Sequence, residues 1–83
     1  MPDLLAEMRD DLIQNPLYRE FVLLKRGWAF NTRDQILAYY FDDHPELKNQ
    51  VLVLENHGLI IDVTSSNVDR YRLTESFVEY LAG

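Results

Sequence analysis

The chain has 83 residues, with eight Lys and Arg against fourteen Asp and Glu, so its formal net charge is −6. Apolar residues make up 47% and aromatics 12%, too many for a disordered chain and enough for one compact core. This length excludes a second domain, the lack of cysteine excludes disulfide and thiolate chemistry, and the negative balance excludes indiscriminate binding to nucleic acid or anionic membranes. A domain of this size buries only about 60% of its unfolded surface, so a partner or dimer contact is expected to support it. Met1-Pro2-Asp3 lacks a basic signal start, and no run approaches the roughly 18 apolar residues needed to cross a bilayer. A cytoplasmic address without membrane contact is therefore expected.

In chain order, Asp3 is suited to cap a first helix of about three turns, with Leu4, Leu5, Met8, Leu12 and Ile13 on one stripe. Asn15-Pro16 breaks that pattern and supplies a new start, which predicts a second helix from Leu17 to about Lys25 that buries Phe21 and Leu24 and ends at Gly27. Trp28-Ala29-Phe30 alternates and is expected to pair at a sheet edge. Thr32-Arg33-Asp34-Gln35 has the form of a capping box, which predicts a third helix through Ile36, Leu37 and Tyr40. Asp42-Asp43-His44-Pro45-Glu46 then reads as a turn between two helices. The fourth helix carries Leu47, Val51 and Leu54 inward, with His57-Gly58 as its terminator. Leu59–Val63 is the clearest strand, Thr64-Ser65-Ser66-Asn67 a polar turn, and Val68–Leu73 the returning strand of a hairpin. Thr74 caps a last helix that buries Phe77, Val78 and Leu81.

Leu47, Val51, Leu54-Glu55, Gly58-Leu59-Ile60 and Arg70-Tyr71-Arg72-Leu73-Thr74-Glu75 stand in an order that resembles winged-helix transcriptional regulators, especially the small bacterial and archaeal kind. The resemblance covers roughly residues 17 to 81. It implies an α+β winged helix-turn-helix, in which a three-helix core carries a small antiparallel hairpin wing, with extra N-terminal and C-terminal helices. The single domain then divides into residues 1–15 as the added helix, 16–73 as the winged-helix core and 74–83 as the C-terminal helix. Ser76-Phe77 stands where such regulators often have a glycine, which points to a bulkier C-terminal helix.

In this family the helix after the turn enters the DNA major groove and the wing reaches for phosphates. The resemblance thus offers double-stranded DNA as a partner and Thr32, Arg33, Lys48, Asn49, Arg70 and Arg72 as the contacts. Capping accounts equally for Thr32, solvation for Arg33, and cross-strand pairing with Asp62 or Asp69 for Arg70 and Arg72. The charge map opposes DNA, because residues 17–41 carry +2 while residues 42–62, with the reading helix, carry −4. Inward Leu47, Val51 and Leu54 turn Asn49, Leu52, Val53 and Asn56 outward, a face that suits a protein contact better than a phosphate ladder. The alternative is therefore a protein-interaction module that does not touch DNA, a homodimer included, with Leu5, Met8, Leu12, Leu52 and Val53 at the interface.

Enzymatic readings have little support. Asp42-Asp43-His44 has no second histidine at ligand spacing and reads as a solvated turn. Ser65-Ser66 lacks a nucleophile elbow, and Gly27, Gly58 and Gly83 form no phosphate loop. No metal, cofactor or small-molecule substrate is implied. Among Tyr39, Tyr40, Phe41 and Tyr71, only Tyr71 is kept as a surface-contact candidate.

Overall fold

A computed structural model describes residues 2–28 and 35–83. Its elements run α1 (Pro2–Gln14), β1 (Glu20–Leu24), β2 (Ile36–Tyr40), α2 (Leu47–Asn56), β3 (Ile60–Asp62), β4 (Arg70–Leu73) and α3 (Glu75–Ala82). The strands form one mixed sheet in the order β2-β1-β4-β3. β1 pairs parallel with β2 and antiparallel with β4, and β3 pairs antiparallel with β4. The chain is thus α+β, with three helices and a four-stranded sheet among the described residues.

Two expected helices are strands. The segment expected as a helix from Leu17 to Lys25 forms β1, and the segment through Ile36, Leu37 and Tyr40 forms β2. Phe21, Val22, Leu23 and Leu24 are all buried, as suits a central strand covered on both faces. Such an unbroken apolar run fits a buried strand as well as a helix, and Asn15-Pro16 gave a false start signal. β2 alternates, with Leu37 and Tyr39 buried between half-exposed Ile36, Ala38 and Tyr40. The helix-turn-helix pair therefore has no counterpart here, because the element before the Asp42–Glu46 turn is a strand. Trp28 lies outside any strand, whereas Ala29, Phe30 and the capping box at Thr32 lie outside the described residues.

The period of two sorts side chains between the sheet's faces. Phe21, Leu23, Leu37, Tyr39, Ile60, Tyr71 and Leu73 join the core with Leu4, Met8 and Leu12 of α1, Leu47, Val51 and Leu54 of α2, and Phe77 and Leu81 of α3. Glu20, Val22, Ala38, Ile61, Arg70 and Arg72 occupy the alternate positions and point to the opposite face. At the centre, Phe21 sits edge-on to Tyr39 at 5.4 Å and stacks on Tyr71 at 5.5 Å between ring centroids. Tyr71, expected at the surface, is only 1% exposed.

The C-terminal half follows its local signals. α2 ends in a left-handed Gly58 (φ 72°), and the Gly58 and Leu59 amides donate to Glu55 O at 2.9 Å and Leu54 O at 3.0 Å. Thr74 begins α3 by accepting from the Phe77 amide at 3.3 Å while its hydroxyl donates to Leu59 O at 2.9 Å. That single side chain caps a helix and ties it to the entry of β3. Arg19 makes a second tie, with Nε donating to Glu75 at 2.9 Å and Nη1 to Pro16 O at 2.7 Å.

Phe21→Ala is expected to cost about 3–5 kcal/mol in urea unfolding, because it removes a wholly buried ring that bridges two strands. Leu52→Ala, on the exposed face of α2, should stay within about 0.5 kcal/mol. Equal losses would contradict this placement of the core.

Candidate functional site

Each basic residue expected to meet phosphate, among those described, is engaged with a carboxylate or flanks one. Lys48 Nζ donates to Asp69 Oδ2 at 2.9 Å and to the Tyr71 hydroxyl at 3.2 Å. Hydrogen bonding to Asp69 is the main reason the Lys48 ammonium is held above its ordinary range. Asn49 Nδ2 donates to Glu46 Oε2 at 2.8 Å. Arg70 and Arg72 share one face of β4, but their partner is neither Asp62 nor Asp69. Both donate to Glu20 of the neighbouring strand, Arg70 to Oε1 and Arg72 to Oε2, the latter from Nη2 at 3.0 Å. Lys48 is bonded to Tyr71 on the helix-covered face while Arg70 and Arg72 point to the other, so the three cations do not converge. Thr32 and Arg33 lie outside the described residues.

Burial acts to raise the Glu20 carboxyl, but hydrogen bonds and charge from Arg70 and Arg72 outweigh it and hold the group below its usual range. The turn at Asp62 is organised likewise: the Thr64 amide donates to its Oδ1 at 2.9 Å and holds that carboxyl low.

A second cluster joins α1 to β2 and the following turn. His44 is 9% exposed, and its Nε2 lies 2.9 Å from Glu7 Oε2. The expected solvated turn thus buries its histidine against α1. One helical turn beyond Glu7, Asp11 lies beside the buried Tyr39 hydroxyl, and loss of water pushes both groups up. Among the described residues no group of three or more His, Asp or Glu side chains is set to hold a metal ion. No described helix is long and apolar enough to cross a membrane.

The exposed apolar surface lies elsewhere. Of the α1 stripe, Leu4, Met8 and Leu12 enter the core, which takes Met8 and Leu12 away from any interface. Leu5 and Ile13 stand beside it, and with Ala6, Arg9, Asp10, Tyr80 and Leu81 they line an open groove of about 630 Å³ between α1 and α3. A smaller lobe of about 190 Å³, lined in part by Arg9, Ile13, Pro16 and Val78, adjoins it. Ile13 is 68% and Tyr80 67% exposed, so the groove carries two of the most exposed large apolar side chains described. Leu52 and Val53 form a separate exposed pair on α2. Tyr80 stands at the i, i+3 spacing from Phe77 and stacks on it at 6.4 Å, so the helical period alone groups it with the buried face and does not reveal its exposure.

Searches with the chain against protein-family models, curated proteins and solved structures found no match.

The Glu20 pair sets a pH dependence. A carboxyl held low in the fold adds stability that is present above its unfolded value and lost as pH falls through its folded value. Wild-type protein should therefore lose more stability than Glu20→Gln between about pH 5 and pH 3, measured by urea midpoints at each pH. Parallel curves would contradict the pairing.

Proposed function

We propose that this chain is a protein-interaction module that docks a partner in the α1–α3 groove. The observation that carries this reading is the groove itself: Ile13 and Tyr80 are each about two-thirds exposed beside a cleft of about 630 Å³. Protein-binding surfaces are built on apolar anchors, which Leu5, Ile13, Tyr80 and Leu81 supply here, with Arg9 and Asp10 as the charged side chains of the lining. Both helices are backed by the core, α1 through Leu4, Met8 and Leu12 and α3 through Phe77 and Leu81.

The succession α2, β3, β4 is what supports kinship with winged-helix domains, with residues 63–69 as the tip of the wing. A DNA-binding function would draw on the same hairpin. It competes poorly because Lys48 is paired with Asp69 while Arg70 and Arg72 share Glu20, so phosphate would have to compete with carboxylates already in place.

Two titrations test the reading together. Mixed-sequence duplex DNA at low salt should give no binding, whereas the aromatic sulfonate 1-anilinonaphthalene-8-sulfonate should brighten with native protein, its rings in the groove and its sulfonate near Arg9. Ile13→Asp should abolish the brightening while the unfolding midpoint holds. DNA binding that falls with salt and with Arg72→Ala would overturn the proposal.

A further inference from the structure

The outward stripe of α1 is its own complement. At about 100° per residue, Ala6, Arg9, Asp10 and Ile13 fall on the side of the helix away from buried Leu4, Met8 and Leu12, and all four are exposed. The same four line the groove beside Tyr80. Their positions are symmetric about the midpoint between Arg9 and Asp10, since Ile13 stands as far beyond it as Ala6 stands before it. A two-fold axis through that midpoint, perpendicular to the helix, lays α1 antiparallel to its copy. It sets Arg9 against Asp10 of the second copy and Ile13 against Ala6 of the second copy. Opposite charges then meet, and the bulky Ile13, 68% exposed, lies over the smallest side chain of the stripe.

We infer that a second copy of this chain occupies the groove, as an antiparallel pair of α1 helices with its two-fold axis between Arg9 and Asp10. The inference rests on the reading of the groove as a docking surface and names the occupant. Within one chain Arg9 and Asp10 do not satisfy each other, because adjacent residues of a helix do not face one another. Neither has an ion-pair partner among the described residues. Across the axis both are paired, and symmetry makes the pair twice. Glu7 and Asp11, the acids that flank the stripe, are taken up by His44 and by the buried Tyr39 hydroxyl. Beside Ala6, the cleft of about 630 Å³ leaves room for Ile13 of the second copy to enter next to Tyr80. A foreign helix needs apolar anchors but no symmetry in this stripe. A two-fold contact needs each position to find its complement on the same helix, and here each does.

Sedimentation equilibrium of the whole chain tests this, and at concentrations up to about 1 mM it should show a monomer in equilibrium with a dimer. Arg9→Asp and Asp10→Arg each set like charges across the axis. Either should weaken the dimer roughly tenfold, because every substitution counts twice. An equimolar mixture of the two variants brings opposite charges together again and should regain the wild-type association. A variant that had merely lost its fold could not be rescued in this way. Ile13→Ser should also weaken the dimer roughly tenfold, the worth of an apolar anchor, whereas Leu52→Ser on α2 should leave it unchanged. A wild-type chain that stays monomeric to about 1 mM, a dimer indifferent to both charge reversals, or a mixture no better associated than its components would each overturn the inference. If the chain were monomeric while the anilinonaphthalene sulfonate still brightened and lost its brightness with Ile13→Asp, the second copy would fall as the occupant and the docking surface would stand.

Discussion

Phe21 is wholly buried in the second strand of the sheet by position, with Tyr39 against it from β2 and Tyr71 from β4. Every other feature of the molecule depends on this three-ring contact. It fixes the registers Phe21↔Leu37 and Phe21↔Tyr71, and with them which side chains of all the strands face the helices. A slip of one residue would bring Glu20 or Val22 into that position and turn the rings out. Because all three helices must then cover one face, α1 and α3 come to lie side by side, and their outer edges leave the groove. The cleft is thus a consequence of packing two helices over one aromatic centre.

The same register determines the electrostatics. Glu20, Arg70 and Arg72 fall together on the face away from the helices because their positions pair across β1 and β4. Lys48, in the first turn of α2, reaches Asp69 and the Tyr71 hydroxyl on the other face. These pairings engage the cations of β4 and α2 with carboxylates on both faces of the sheet.

Where the signals were local, the sequence was legible. The α1 stripe, the inward trio of α2 with Gly58 behind it, the β3–β4 pairing and the Thr74 cap follow from periodicity and capping within a few residues. β1 and β2 were not legible in this way. Phe21 to Leu24 has no period to distinguish a buried strand from a helix, and what makes it a strand is pairing with residues about 16 and 50 positions away. The parallel pairing of β1 and β2 carries no local signature at all. The site divides along the same line: Leu52 and Val53 were readable as outward positions from the inward trio of α2, whereas the single stripe read on α1 did not separate half-buried Leu5 and exposed Ile13 from the core, and Tyr80 shares the i, i+3 face of Phe77. The pairing of Arg70 and Arg72 with Glu20 was not legible, since Glu20 belonged to a segment whose pattern suggested a helix.

Docking through the α1–α3 groove, with the sheet cations kept for internal pairs, is tested most directly by two-dimensional amide NMR of the whole chain, mapping shift changes on adding anilinonaphthalene sulfonate and, separately, duplex DNA. The sulfonate should shift amides concentrated in residues 5–13 and 78–82, and DNA should shift none. Changes centred on Lys48, Arg70 and Arg72 with DNA, and silence along α1 and α3 with the sulfonate, would contradict it.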